Sequence, residues 1–130
     1  MSLIKNYAST FYEWLKEVSG VEVYREPVNF NEDEPAPSEY ITYSASVGNF
    51  GTNFLQPLTI YSKSTAWTKV MDIVERIEDR VGESGIIVFD NWGIITIEKG
   101  DPFYQDKPDE DGSNRAGYVN LLINIYQKKV

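Results

Sequence analysis

The sequence predicts an α+β fold, in which a mainly antiparallel sheet of about five to six strands has two amphipathic helices packed on one face. Two segments repeat apolar residues every three or four positions, and several others alternate apolar with polar residues. The predicted order of elements contains no strand–helix–strand repeat, which argues against a parallel, doubly wound sheet. The length of 130 residues, 42% of them hydrophobic, suits a single domain over 1–130.

The two helices are each predicted from one apolar stripe. The first stripe covers 3–18 and includes Phe11, and the second covers 66–81 and includes Trp67. Because such stripes pack against the rest of the protein, we expect both aromatic side chains in the core. The candidate N-caps of the second helix are Ser62 and Ser64.

Six segments are predicted to be strands, and they are 21–25, 40–47, 53–62, 86–89, 93–98 and 117–127. The second and third form one hairpin, and the fourth and fifth form another. Pro57 has no amide donor, so we expect an edge position or a bulge there. In the last strand, the apolar series beginning at Val119 belongs in the core. The alternate series, which contains Tyr118 and Tyr126, forms a polar-aromatic face that is solvated or meets another subunit.

Two segments carry the whole acidic excess of the chain. Residues 26–39 and 101–111 hold ten of the 20 acidic residues and one base, Lys107, whereas the formal net charge of the chain is −8. We predict a long acidic loop in each place, near 26–39 and near 100–115. Charge concentrated in this way bears on partners and association rather than on the fold.

Composition argues against catalysis, cofactors and metal sites. The chain contains no cysteine and no histidine, so it lacks the commonest nucleophile–base pairs and zinc ligands. The acids from Asp106 to Asp111 fail the calcium-loop pattern because Lys107 stands where an acid is needed. The sequence has no cluster of Lys and Arg of the kind that binds nucleic acid. No apolar run is long enough to span a membrane.

The aromatic share of 14% exceeds what one small core needs. Tyr, Trp and Phe are enriched at protein–protein interfaces, so we predict an assembly or partner interface. Its candidate residues are Glu32, Asp33, Glu34, Phe50, Phe103, Tyr104, Asp106, Asp109, Glu110, Asp111, Tyr118 and Tyr126. The alternative is a small-ligand or cation-binding α+β domain, which predicts a deep pocket with inward-facing acids beside the loops.

Three stretches of the chain resemble the small tail-terminator and head–tail joining, or tail completion, proteins of long-tailed bacteriophages. The first is Gln-Pro-Leu-Thr-Ile-Tyr-Ser-Lys-Ser at 56–64, which leads into the second predicted helix. The second is Gly-Asp-Pro-Phe-Tyr-Gln at 100–105, followed by the acids 109–111, and the third is the closing strand 118–126. The resemblance covers most of the chain and rests on pattern rather than on an invariant signature.

The resemblance implies a non-enzymatic virion morphogenesis protein, assembled in the bacterial cytoplasm and encoded by a phage or prophage. Its subunits form a homo-oligomeric ring, typically a hexamer, that caps the tail tube and docks to the head connector. The implied partners are other copies of the chain, the tail-tube protein and the head connector protein. DNA passes through the ring without specific binding, and no membrane is involved. A head-side connector or stopper protein of the same phage neck is the alternative within this resemblance.

Overall fold

The computed structural model describes residues 3–45, 47, 52–108, 112 and 114–128. Its elements are α1 (Leu3–Ser19), β1 (Glu22–Arg25), β2 (Glu39–Tyr43), β3 (Phe54–Ser62), α2 (Thr68–Val81), β4 (Ile86–Asp90), β5 (Gly93–Lys107) and β6 (Arg115–Gln127). The strands form one sheet in the order β1-β2-β3-β6-β5-β4. Only the pair β1–β2 is parallel. The predicted α+β class, with a mainly antiparallel sheet and two helices, is confirmed.

The core lies between the two helices and one face of the sheet. The apolar stripe of α1 supplies Tyr7, Phe11 and Leu15, which are fully buried, and α1 ends where Gly20 adopts a φ of +71°. The amide of Gly20 donates to the carbonyl of Lys16 at 3.1 Å, as expected of a glycine at a helix C-terminus. The sheet contributes alternate residues of its strands, including Leu58, Ile60, Ile95, Ile97, Val119, Leu121, Ile123 and Ile125.

The start of α2 differs from the prediction. The helix begins at Thr68, and Trp67 occupies the N-cap without a capping side-chain bond, while Ser62 and Ser64 accept amide bonds within the preceding turn. Trp67 thus lies outside the buried stripe, is 37% exposed and faces the guanidinium of Arg115. The predictions of a serine N-cap and of a core Trp67 are therefore wrong.

The second acidic segment is mostly strand rather than loop. β5 continues to Lys107, and its pairing with β6 shifts register between Lys99 and Tyr104 before resuming opposite Val119. The Gly-Asp-Pro sequence that predicted a loop lies inside this irregularity, and such an irregularity interrupts a ladder without ending it. The predicted loop near 100–115 is thus wrong over 100–107.

Pro57 lies on β3, which is an interior strand of the sheet, but the position of Pro57 itself is a local edge, as predicted. The last pair between β2 and β3 joins Tyr43 to Leu58. Pro57 comes one residue beyond it, where only β6 accompanies β3, with Asn120 opposite. The absent amide donor therefore meets no β2 residue, which explains how a proline fits between two neighbouring strands.

Candidate assembly surface

The face of the sheet that lies opposite the helices is the candidate functional site, and we call it the outer face. Its residues follow from the strand registers, because paired residues point to the same side of a sheet. Tyr40 stands opposite Tyr61, and Thr59 stands opposite Tyr118. The same registers assign to this face Tyr24, Thr42, Leu55, Ile87, Phe89, Ile94, Thr96, Asn120, Leu122, Asn124 and Tyr126.

At the β1–β3 end of the outer face, four rings contact one another and form what we call the aromatic cluster. Tyr24 and Phe30 lie 5.3 Å apart between centroids, Phe30 and Tyr40 lie 5.1 Å apart, and Tyr40 stacks on Tyr61 at 4.8 Å. The ammonium of Lys107 lies 4.9 Å from the centre of the Tyr61 ring. Such cation–π and ring–ring contacts hold the side chains in fixed positions, so this end presents a preformed surface.

Hydrogen bonds and burial define the electrostatics beside the aromatic cluster. The carboxylate of Glu26 accepts bonds from the hydroxyls of Thr42 at 2.8 Å and Ser44 at 3.1 Å. Burial, followed by the neighbouring Tyr61 and Tyr24, raises the pKa of Tyr40 above its usual value. The phenol of Tyr40 therefore stays neutral at physiological pH, and the cluster offers neutral rings between one carboxylate and one ammonium.

The two acidic segments meet at a cavity of about 320 Å³ at the same end of the sheet, where Ala36 and Pro108 are both lining residues. Lys63 and Lys107 contribute to its wall, and the ammonium of Lys63 donates to the carbonyl of Ala36 at 2.6 Å. No carboxylate is among the lining residues in the described ranges. A cation-binding domain predicts inward-facing acids here, and the wall instead carries positive charge.

Metal binding finds no other support in the structure. Among the residues described, no group of three or more potential ligands is placed to hold a metal ion. The carboxylate of Asp106 accepts the hydroxyl of Tyr104 at 2.7 Å. Burial and the bond to Asp106 raise the pKa of Tyr104, so that the phenol remains a donor. Asp106 thus has a protein partner.

The β4 end of the outer face differs in being apolar and open. Phe89 is 77% exposed and Ile87 is 53% exposed, and Tyr126 on β6 is 47% exposed. Leu55 on β3 is also an exposed apolar residue of the outer face. Contiguous apolar surface on a folded protein usually marks a contact site rather than a solvated one.

The predicted interface residues do not all share one surface. Tyr118 and Tyr126 lie on the outer face, whereas Tyr104 and Asp106 pair with Val119 and Gly117 and so point to the helix side. Glu32, Asp33 and Glu34 are exposed in the β1–β2 connection, Phe103 is half-buried in the β5 irregularity, and Phe50, Asp109, Glu110 and Asp111 lie outside the described residues.

The first acidic loop is ordered by its own hydrogen bonds. The side-chain oxygen of Asn31 accepts the amides of Asp33 and Glu34 at 2.9 and 2.8 Å. The amide of Asn31 donates to the carbonyl of Glu34 at 3.0 Å. This pattern is an Asx turn, which the sequence signals through asparagine followed by acids. The carboxylates of 32–34 are consequently displayed in a fixed turn.

Several outer-face residues are absent from the predicted interface. Tyr61, Ile87, Phe89 and Leu55 belong to segments that were predicted as strands without a decision on which side each residue faces. The register of β3 against β6 shows which way Leu55 points, because Leu55 stands opposite Leu122. The sequence of 53–62 does not reveal its buried side, because the polar residues Gln56 and Ser62 occupy buried positions.

Comparisons with known proteins show the fold. Neither a protein-family model nor a curated protein matches the chain. One solved structure, described as the virion of a native gene transfer agent particle, contains a chain of similar fold, with a TM-score of 0.57 and 10% sequence identity over 88% of this chain and 84% of that one. A second solved structure, which carries no functional description, has a TM-score of 0.54 and 9% identity over 95% and 93% of the two chains.

A search of the described helices finds none with the length and apolar character needed to cross a membrane.

Proposed function

We propose that this chain is a single-domain, non-enzymatic tail terminator of a long-tailed phage or prophage. Its copies form a ring, with a hexamer as the expected size, that caps the tail tube and docks to the head connector. The subunit binds other proteins and catalyses no reaction, and the outer face is its functional surface. In this role, the protein is a component of the virion and is assembled in the bacterial cytoplasm.

The observation that carries this proposal is the outer face itself. It keeps large apolar and aromatic side chains on β3, β4 and β6 in positions that a solvated sheet face would give to polar residues. A ring subunit needs such a surface, because each copy must bury part of itself against its neighbours. The shared fold with a chain of a gene transfer agent virion supports a role in a particle of this kind.

The acidic segments have a role in this proposal through their charge. The fixed turn that displays Glu32, Asp33 and Glu34 gives one end of the subunit a negative surface. If this end lines the channel of the ring, like charge keeps the phosphate backbone of DNA from adhering during passage. Neutralising these acids is then expected to impair passage of DNA or infectivity while leaving the fold intact.

A matched pair of variants tests the role of the outer face in assembly. Tyr118 on the outer face and Met71 on α2 are both 37% exposed, so Tyr118→Glu and Met71→Glu add the same charge at equal exposure. We expect the wild-type protein and Met71→Glu to form rings visible by electron microscopy and light scattering. Tyr118→Glu is expected to reduce the mass toward that of the monomer. Monomeric wild type at high concentration, with no change on adding tail-tube protein, contradicts the proposal.

Mixing experiments separate the tail-side role from a head-side connector or stopper. A tail terminator is expected to bind preassembled tail tubes and to end their growth. A head-side protein binds the connector and leaves tube length unchanged. Tube-length distributions in electron micrographs, with and without the purified chain, therefore distinguish the two roles.

A further inference from the structure

The groove between α1 and β4 combines a free strand edge with negative charge. β4 is the last strand in the sheet order, so its second edge has no strand neighbour within the described chain. The groove has a volume of about 430 Å³, and its wall includes Glu13, Trp14, Glu17, Val88, Phe89 and Asp90. It lies at the opposite end of the sheet from the aromatic cluster.

We propose that an extended, basic segment of a partner protein binds in this groove by adding a strand to the free edge of β4. The segment carries Lys or Arg at alternate positions, and these side chains lie against the carboxylates of the groove. Its apolar residues lie against Phe89. The proposal goes beyond the ring function and does not depend on it, because it is argued from the edge of β4 and the charges of the groove. Of the groove residues named above, only Phe89 also belongs to the outer face.

The sequence of β4 lacks the devices that protect an edge strand. Natural edges are usually blunted by charges, prolines or bulges that prevent further pairing. β4 reads Ile-Ile-Val-Phe-Asp, with its single charge at the end, and its pairing with β5 is regular over all five residues. The amides and carbonyls of its open side are therefore available to an incoming strand, as in other cases of strand addition.

Charge selects the kind of segment that fits. Glu13, Glu17 and Asp90 contribute three negative charges to the groove wall, against one positive charge from Lys16. The guanidinium of Arg80 lies 3.8 Å from the carboxylate of Glu17, and the balance of charge at the groove is still negative. The Thr10 hydroxyl and the Asn91 amide, which donate to the Asp90 carboxylate at 2.6 and 2.7 Å, hold its pKa below the usual value. Asp90 is therefore ionised at neutral pH. Complementary potential guides binding and excludes acidic partners.

The side chain of Trp14 provides a reporter for the groove. Trp14 lines the groove and is only 6% exposed. An occupant of the groove therefore lies next to its indole ring.

A second copy of the chain fits the groove less well than a basic segment. Two β4 edges placed side by side bring Glu13, Glu17 and Asp90 of both copies together, and like charges repel. The edge strand β1 carries one acid and one base, Glu22 and Arg25, so it offers no net charge to complement the groove. The charges therefore favour a partner of opposite sign over self-pairing.

Nuclear magnetic resonance with synthetic peptides tests the proposal on the whole chain. The probe is a short peptide in which Lys and Val alternate, and two control peptides replace Lys by Glu or alternate Val by Pro. With the Lys–Val peptide, we expect saturable shifts of the amides of 86–90 and of the Trp14 indole proton. We expect weaker binding with added salt. The Glu peptide and the proline peptide, which lacks the amide donors of the replaced residues, are expected to leave these signals unchanged.

Two charge reversals supply the matched variants. Glu13→Lys, in the groove, is expected to weaken binding of the Lys–Val peptide about tenfold, which corresponds to about 1.4 kcal/mol. Glu75→Lys, on the exposed side of α2, makes the same change of charge and is expected to leave binding as it is. Circular dichroism verifies that both variants are folded.

Four results overturn the proposal. They are an absence of shifts at 86–90, equal binding of the three peptides, equal weakening by the two charge reversals, and shifts confined to the outer-face residues near Tyr61. Concentration-dependent self-association that Phe89→Lys removes, without peptide binding by the wild type, identifies a second copy as the occupant instead. If the chain does not form rings, peptide binding to the groove can still be measured, because none of these outcomes requires a ring.

Discussion

Two adjacent leucines on β6 show how differently the two sides of the sheet are built. Leu121 points toward α1 and α2 and has no exposed surface, while Leu122 points to the outer face, where no described element covers it. A sheet with one solvated face normally alternates apolar with polar residues. Here the outer positions of β3, β4 and β6 remain partly apolar. The helix side therefore serves folding, and the outer side is the surface for which we propose contacts with other molecules.

The outer face is itself divided into two parts. At the β1–β3 end, the rings of the aromatic cluster contact one another, and Lys107 lies against the Tyr61 ring. At the β4 end, Phe89 and Ile87 are exposed and have no ring contacts among the described residues. The first part is a rigid surface already stabilised within the subunit, and the second gains contacts only when something binds.

The sharpest test of the two-sided sheet compares Leu121→Ala with Leu122→Ala. Removal of a fully buried leucine side chain is expected to lower the free energy of unfolding by about 2–5 kcal/mol, because it leaves a cavity in the core. Removal of the half-exposed Leu122 is expected to change it by less than about 1 kcal/mol. Urea unfolding of the two variants measures both values. Equal losses contradict the assignment of the two faces.

The sequence predicts the covered side well, because burial leaves a periodic pattern. The stripes of α1 and α2 and the alternate residues of β6 are apolar at nearly every buried position. Phe11 and Ile123 are fully buried as predicted. Trp67 is the exception, since a stripe does not show where the first helical turn begins. The N-cap residue belongs to the turn before it.

The sequence predicts the outer face poorly, because no burial within the subunit imposes a periodic pattern on it. Tyr118 and Tyr126 are found by alternation within one strand. Tyr61 and Phe89 require the register between strands, which is set by the whole sheet. The Gly-Asp-Pro sequence beginning at Gly100 indicates a loop locally, yet the ladder between β5 and β6 continues on both sides of it. Long-range pairing overrides local turn propensity there.

Hydrogen bonds of Thr10 join α1 to β4 at the edge of the covered side, and their contribution to stability can be measured. The Thr10 hydroxyl donates to Asp90 at 2.6 Å and accepts the indole N–H of Trp92 at 2.9 Å. Thr10→Val keeps the shape of the side chain and removes both bonds. We expect a loss of about 1–3 kcal/mol in the free energy of unfolding, because the buried Trp92 donor loses its acceptor. Chemical denaturation measures the loss.

Thr65→Val is the matched control, since it makes the same substitution at an exposed position. If Thr10→Val is as stable as Thr65→Val, the bond between α1 and β4 contributes nothing measurable.

The outer face is expected to contribute to stability through ring contacts rather than through burial. Tyr40 and Tyr61 stack at 4.8 Å between centroids. A double-mutant cycle with Tyr40→Ala and Tyr61→Ala is expected to give a coupling energy of about 0.5–1.5 kcal/mol. Thermal or urea unfolding of the four proteins supplies the cycle. A coupling of zero shows that the stacked rings are held by their own strands alone.

The smallest expected effect is the pH dependence of the contact between α1 and β4. The hydroxyl of Thr10, followed by the Asn91 amide, lowers the pKa of Asp90 below its usual value of 3.8. The unfolded chain therefore takes up this proton at a higher pH than the folded protein does. The stabilising contribution is complete above the unfolded pKa and is lost as pH falls through the lowered folded pKa.

We therefore expect the free energy of unfolding of the wild type to fall more steeply below about pH 4 than that of Thr10→Val. The difference should be less than about 1 kcal/mol, because Asp90 is exposed and water screens its charge. Urea midpoints measured from neutral to acidic pH give both slopes. Asp79→Asn, an exposed substitution on α2, is the control. Its free energy of unfolding should fall below about pH 4 as steeply as that of the wild type, and more steeply than that of Thr10→Val. Parallel curves for the wild type and Thr10→Val would mean that the hydroxyl positions the Trp92 indole without favouring the ionised form of Asp90.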